Sequence, residues 1–255
     1  MAFARISAHY VFSANLTVFP SDSFVFFAVL HSNIHSAWAW KYGTTLKSDL
    51  IYAPSDIINN YPFLEFLENS NVFRLTNLGE IYHEHRKQLM LTIQLGLTKT
   101  YNLFHARLLR QVTPEEEQLD DEKAFQKLLG KDAAHLRKHL AKTPSTIPFN
   151  EAVTGILKLR DLHVQMDNAV LEAYGWSDIN LHNDFYEVEY LPENDRVRYT
   201  IHPDARREIL KRLLELNHEI HEREVAEGLW EKKGKRTEKA RDCETEINGQ
   251  IGFEL

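Results

Sequence analysis

Two Glu-x-x-His pairs, Glu80/His83 and Glu215/His218, have the spacing by which a helix projects a carboxylate and an imidazole from one face. Helical di-iron sites use such pairs, completed by glutamates from two further helices, and Glu172 or Glu222 could fill those places. Both pairs nevertheless lie in densely charged stretches of a chain with 13 His and 37 acidic residues, where this spacing arises by chance. We therefore expect no metal there. His135 and His139 stand at i, i+4 with Asp132 three residues earlier, but the order is not His-Glu-x-x-His. Lys131, Arg137, Lys138 and Lys142 surround them and would repel a cation, so a solvated helix face is expected. Asp204 with Glu231, Lys232 and Lys233 mimics an Asp…Glu-x-Lys nuclease pattern. That chemistry needs its acids on adjacent strands, whereas Asp204 opens a predicted helix. The chain has no Gly-x-Ser-x-Gly elbow, P-loop or Gly-x-Gly-x-x-Gly, and no Asn-Pro-Pro-Tyr or Asp-Pro-Pro-Tyr tetrapeptide. No self-contained active site is expected.

What remains is the polar-aromatic stretch from Trp38 to Lys47, with its hydroxyls and lysines on a helix end and a glycine loop. Such groups can contact phosphates and position a duplex. Equally, the tryptophans can be core residues and the lysines merely solvated.

The elements that must carry this stretch follow from periodicity. Arg5 to Ser13 and Asn15 to Phe19 read as two strands. Two short strands leave edges and an apolar face uncovered, so the chain is expected to begin inside a domain. Asp22 to Tyr42 reads as one helix, stopped by Gly43, and residues 43–62 as loop with a helical turn after Pro54. Leu75, Leu78, Tyr82, Leu89, Ile93 and Leu97 mark a long helix interrupted near Gly96, after which Thr98 can cap another. Polar helices fill residues 111–149. Asn150 should then cap a helix with Val153, Ile156, Leu159, His163, Met166, Val170 and Ala173 on one stripe, ended by Gly175. A hairpin is expected over Phe185–Leu191 and Arg196–Ile201, and Pro203 starts a last helix through Ile209, Leu213, Leu216 and Ile220.

The 255 residues are 43% hydrophobic and 26% charged, an ordinary globular composition that excludes wholesale disorder. The longest apolar runs fall far short of the ~20 residues of a bilayer span, and residues 1–10 do not read as a signal peptide. The lone Cys243 forbids an intrachain disulfide and fits a reducing cytoplasm. A net charge of -7 argues against a chain that is basic all over, so any polyanion contact must be local. Acidic residues crowd Glu115–Glu122, and basic ones crowd Lys232–Arg241.

One resemblance connects these stretches. Phe27 to Ser32, Trp38 to Lys47, Asp49 to Asp56 and Tyr61 to Phe63 together resemble the end of the target-recognition domain of large adenine-specific DNA methyltransferases. These are the type IIG, MmeI-like and BREX-type enzymes of restriction-modification and phage-defence systems. Leu97–His105, Leu159–Asp167, Ala173–Trp176, Val197–Ile201, Arg206–Leu210 and Leu216–His218 resemble that family's C-terminal helical region. The likeness runs over about residues 3 to 230. Where the family often has Phe-Pro-Phe-Pro, this chain has Tyr61-Pro62-Phe63-Leu64, and its Cys-Phe-Glu-Thr-like link is Ile57 to Asn60.

The resemblance implies a mainly α protein in which a short α/β remnant of a target-recognition domain precedes a helical domain with a small β-hairpin. The expected parts are residues 1–68, 69–230 and a charged, flexible 231–255. It implies double-stranded DNA as a partner, with Lys41, Tyr42, Thr44, Thr45 and Lys47 facing it and Trp38 and Trp40 packing the helix. S-adenosylmethionine is the methyl donor of the complete family enzyme. The motifs that bind it are absent here, so this chain alone should bind no cofactor and transfer no methyl group. A truncated remnant, a fragment of a longer frame, or a split subunit completed by a separate methyltransferase polypeptide all fit that expectation. A helical interaction protein that docks to such a partner without touching DNA is the alternative.

Overall fold

The computed structural model describes residues 2–13, 16–46, 49–63, 69–143 and 147–229. Helix α1 is Phe24–His31 and α2 is Asn33–Tyr42. The single helix expected over 22–42 is thus broken, because Ser32 adopts extended backbone. Its amide closes α1 on Ala28 and Val29, while its Oγ accepts from the His35 amide as the N-cap of α2. Strands β1 (Thr44–Leu46) and β2 (Asp49–Ile51) pair antiparallel within what reads as loop, with Thr44 opposite Ile51. The helical turn α3 spans Pro54–Ile57.

Helix α4 (Asn69–Ile93) runs unbroken for 25 residues. Helix α5 (Leu97–Phe104) follows, capped by Gly96 and not by Thr98. The acidic stretch folds as α6 (Pro114–Glu117), where Thr113 and Glu116 form a capping box, and α7 (Glu122–Leu129) leads through Gly130 into α8 (Lys131–Lys142). Helix α9 (Phe149–Ala173) buries the stripe Val153, Ile156, Leu159, His163, Met166 and Val170. Its N-cap position is Pro148, because the Asn150 side chain is spent elsewhere, accepting from the Val112 amide and donating to the Val112 carbonyl. Strands β3 (Asp184–Glu187) and β4 (Val197–Thr200) make the expected hairpin, and α10 (Pro203–Ala226) closes the described chain. The result is mainly helical, with two small two-stranded antiparallel sheets.

The strand pair expected near the start does not form. Residues 2–13 and 16–20 carry no strand; they run as an arm held by side chains. Phe3 meets His31, His35 and Tyr52 edge-on, Phe19 packs on Phe26 and Tyr52, and Thr17 Oγ1 donates to the Tyr52 carbonyl. Aromatic and β-branched residues favour strands only where a partner edge exists. Here helices supply the apolar surface instead.

A single buried cluster contains Phe27, Trp38, Tyr82, Ile156 and Leu213, so one core joins residues on both sides of position 68. At its centre α4 crosses α9, and α1 lies on α4. Glycines permit both approaches. A Cβ on Gly79 would come within 2.6 Å of the Phe24 carbonyl oxygen, and one on Gly155 within 2.6 Å of Leu89 Cδ1. Among the described residues, no helix is long and apolar enough to cross a membrane.

Candidate nucleic-acid interface

Helix α2 ends at a corner where Lys41, Tyr42, Thr44 and Thr45 are each exposed; Lys47 lies outside the described residues. The corner is anchored from below. Trp38, 2% exposed, donates from Nε1 to the Ile57 carbonyl at 3.2 Å and packs its ring 4.2 Å from that of Tyr42. Trp40, the other expected packing residue, is half-buried and stacks on Tyr190 at 4.3 Å. Gly43 lets the chain leave the helix, for a Cβ there would lie 2.5 Å from the Ala39 carbonyl oxygen and 2.8 Å from Leu50 Cδ1. Its backbone is extended, so the need is for space rather than for an unusual φ.

The chemistry of this corner is that of hydrogen-bond donors. Partial burial raises the Tyr42 phenol above its usual range, so it keeps its proton at neutral pH. Thr44 and Thr45 are exposed on β1. Lys41 sits in the last turn of α2, where a cation also stabilises the helix through its dipole. The surroundings are not a dense basic patch. Asp49 on β2 and Asp56 on α3 are exposed close by in sequence, and Asp56 accepts from Ser55.

At the opposite end of α2 lies a buried polar spine that sequence reasoning missed. Asp167 of α9, fully buried, accepts from the Asn33 amide and from Asn33 Nδ2, both at 2.7 Å, and from Asn183 Nδ2 at 3.3 Å. Its carboxylate therefore caps the N-terminus of α2, and Thr200 of β4 completes the link by donating to Asn33 Oδ1. Burial raises the Asp167 pKa, while His163 and the asparagine donors oppose that shift. His163 Nε2 stands 3.8 Å away, and burial holds this imidazole below its usual range in spite of Asp167. Next to it Arg86, 3% exposed, donates to the Phe3 carbonyl at 2.7 Å and to the Tyr101 hydroxyl at 3.1 Å, and its Nη1 lies 2.8 Å from His31 Nε2. His31 Nε2 also accepts the Phe3 amide, so the ring is neutral with its proton on Nδ1, facing the Phe27 carbonyl. Burial, then Arg86, depress its pKa well below normal. The one advance signal was His163 on an otherwise apolar helical stripe.

The remaining sequence candidates stay apart. Glu80 is exposed on α4, and Glu215 and His218 are exposed on α10, with Glu215 3.9 Å from Lys211. His139 Nε2 is 2.9 Å from the Ile93 carbonyl, and His135 faces solvent. Asp204 pairs with Arg207, while Glu231, Lys232 and Lys233 lie outside the described residues. Among the described residues, no three His, Cys, Asp or Glu side chains group as a metal site. No family model matches the chain, and comparison with curated proteins and with solved structures finds no match.

Proposed function

We propose that this chain is a DNA-recognition and spacer module of an adenine-specific methyltransferase system. In this reading it works in the cytoplasm with a methyltransferase part, on the same or a separate polypeptide, that binds S-adenosylmethionine and makes N6-methyladenine. Residues 1–68 would correspond to the end of a target-recognition domain, packed into one core with the helices that follow. The observation that supports the reading is the corner itself: Lys41, Tyr42, Thr44 and Thr45 are all exposed within five residues of chain, next to a backbone braced by Trp38 and Gly43. A preformed set of donors costs little entropy when it meets phosphate oxygens. The test is duplex binding by gel shift across a salt series, with wild type and the Lys41→Ala/Lys47→Ala double variant. Loss of two phosphate contacts should weaken binding and flatten the slope of log K against log salt by roughly 2. An unchanged affinity and slope would rule the assignment out.

A second reading, a docking protein that touches no DNA, draws on a different observation. Ile6, Tyr10, Val11, Leu16 and Val18 are exposed along the N-terminal arm, as are Leu46 and Ile51 on the hairpin. Apolar surface marks protein contacts where it is contiguous, and these residues crowd two short stretches of the chain. Gel shift at low salt, with and without a co-purified methyltransferase, separates the two: DNA retarded by the isolated chain favours the first reading, and retardation by the partner alone favours the second.

A further inference from the structure

A cleft of about 490 Å³ opens between α9 and the loop that leads into β3. Its size lies within the range of small-molecule sites. Its floor is built around Arg160, which is 7% exposed. The orientation of this guanidinium is set from behind. Nε donates to the Phe104 carbonyl at 2.7 Å, and Nη2 donates to the carbonyls of Ala106 at 2.9 Å and Leu103 at 3.1 Å, closing the end of α5. The rings of Phe185 and Tyr199 stand 5.1 and 5.3 Å from its central carbon. Among the described residues Nη1 has no hydrogen-bond partner, and it is not sealed from solvent, so it is the edge of the guanidinium left to the cleft.

The opposite charge comes from Asp161 at the rim. Its Oδ2 accepts from Gln165 at 2.7 Å, and its Oδ1 has no partner among the described residues. Asn168 and Asn183 both line the cleft but spend their amide nitrogens inward, on the Val164 carbonyl at 2.8 Å and on Asp167 at 3.3 Å. Their carbonyl oxygens remain as acceptors. A simple carboxylate entering here meets Asp161, and a simple amine meets Arg160. Only a molecule carrying both signs satisfies both.

We propose that this cleft binds a free α-amino acid, with its carboxylate on Arg160 Nη1 and its ammonium on Asp161 and the asparagine oxygens. Leu157 and Val164 lie along the cleft wall and take the ligand's side chain. The mouth is shaped by His182, which holds a left-handed φ of 43° that residues other than glycine rarely adopt. Its carbonyl accepts the Tyr186 hydroxyl at 2.8 Å, and its amide donates to Asn180 Oδ1 at 3.2 Å. Backbone kept in such a conformation is a feature of ligand clamps. The site does not depend on DNA contact at the α2 corner.

Calorimetric titration of the intact chain with each standard L-amino acid tests the proposal, with acetate and methylammonium as controls. At least one amino acid should bind saturably, and each control should bind at least about ten-fold more weakly, since it forgoes one charge-assisted contact. Asp161→Asn should weaken the amino acid by a similar factor. Val164→Trp, which fills the cleft from a half-exposed turn of α9, should abolish binding, with circular dichroism checking that both variants fold. No saturable heat from any amino acid at ~10 mM, well above the affinities expected of a specific site, overturns the proposal. Acetate binding as tightly as the amino acid overturns it, as does binding that is unchanged by Asp161→Asn or survives a folded Val164→Trp.

Discussion

Asp167 joins more of this protein than any residue on its surface. It holds the first turn of α2 through Asn33 and, through Asn183 and Thr200, the β3–β4 hairpin. Removing it leaves three part-buried donors, on Asn33 and Asn183, without an acceptor. Asp167→Ala should therefore cost about 3 kcal/mol or more, seen as a lower urea midpoint at an unchanged slope. Asp161→Ala, less than two turns earlier on the same helix but exposed, should change stability by no more than about 0.5 kcal/mol. The two aspartates look alike along the chain, because residue type and helical position do not reveal which side of α9 meets another helix's unpaired amides. The same holds at the α2 corner. Lys41, Tyr42, Thr44 and Thr45 stand out in the sequence as a polar-aromatic run, yet the brace beneath them, Trp38 Nε1 on the Ile57 carbonyl, links residues 19 apart.

At the scale of elements, the long helices were the most legible. In α9 the stripe from Val153 to Val170 is buried, because repeated apolar residues at helical spacing have one way to leave water. In α10 only the first half of the predicted stripe is fully buried, Ile209 and Leu213, while Leu216 and Ile220 stay half-exposed as the helix runs past α2. The break at Ser32 and the hairpin β1–β2 went unread although both rest on near neighbours: apolar spacing runs on across Ser32, whose Oγ caps α2, and the paired strands are only three residues each. Helix contacts also separate two glycines that sequence treats alike. An alanine at Gly79 meets the Phe24 carbonyl oxygen, part of a backbone that cannot give way cheaply. An alanine at Gly155 meets the end of the Leu89 side chain, which can rotate. Both changes gain roughly 1 kcal/mol of helix propensity. Gly79→Ala should nonetheless destabilise by about 1–3 kcal/mol through overpacking of α1 on α4, whereas Gly155→Ala should be close to neutral. Thermal melts of the two variants side by side test the difference.

For the whole molecule the decisive feature is how many histidines its interior keeps neutral. Burial lowers His31 and His163, takes His35 down to about 3, and with Arg198 lowers His105, whose Nδ1 accepts the Tyr199 amide. In the unfolded chain these groups take up protons near the ordinary value of 6.5. The unfolded state thus binds more protons at acid pH, so stability is complete above pH ~6.5 and is lost as pH falls below it. Each of the four histidines contributes up to about 1.4 kcal/mol per pH unit in that window. Urea midpoints measured from pH 7.5 to 5 should fall steeply, and a flat profile would contradict the neutral assignment. Composition, helical periodicity and the run from Trp38 to Lys47 were readable along the chain, because each depends on neighbours within a few residues. The fate of the N-terminal arm, the Asp167 and Arg86 networks and the Arg160 cleft was not. Each arises where segments far apart in sequence share a core, and whether a polar group there is buried, paired or left facing a cleft depends on partners that only folding brings within reach.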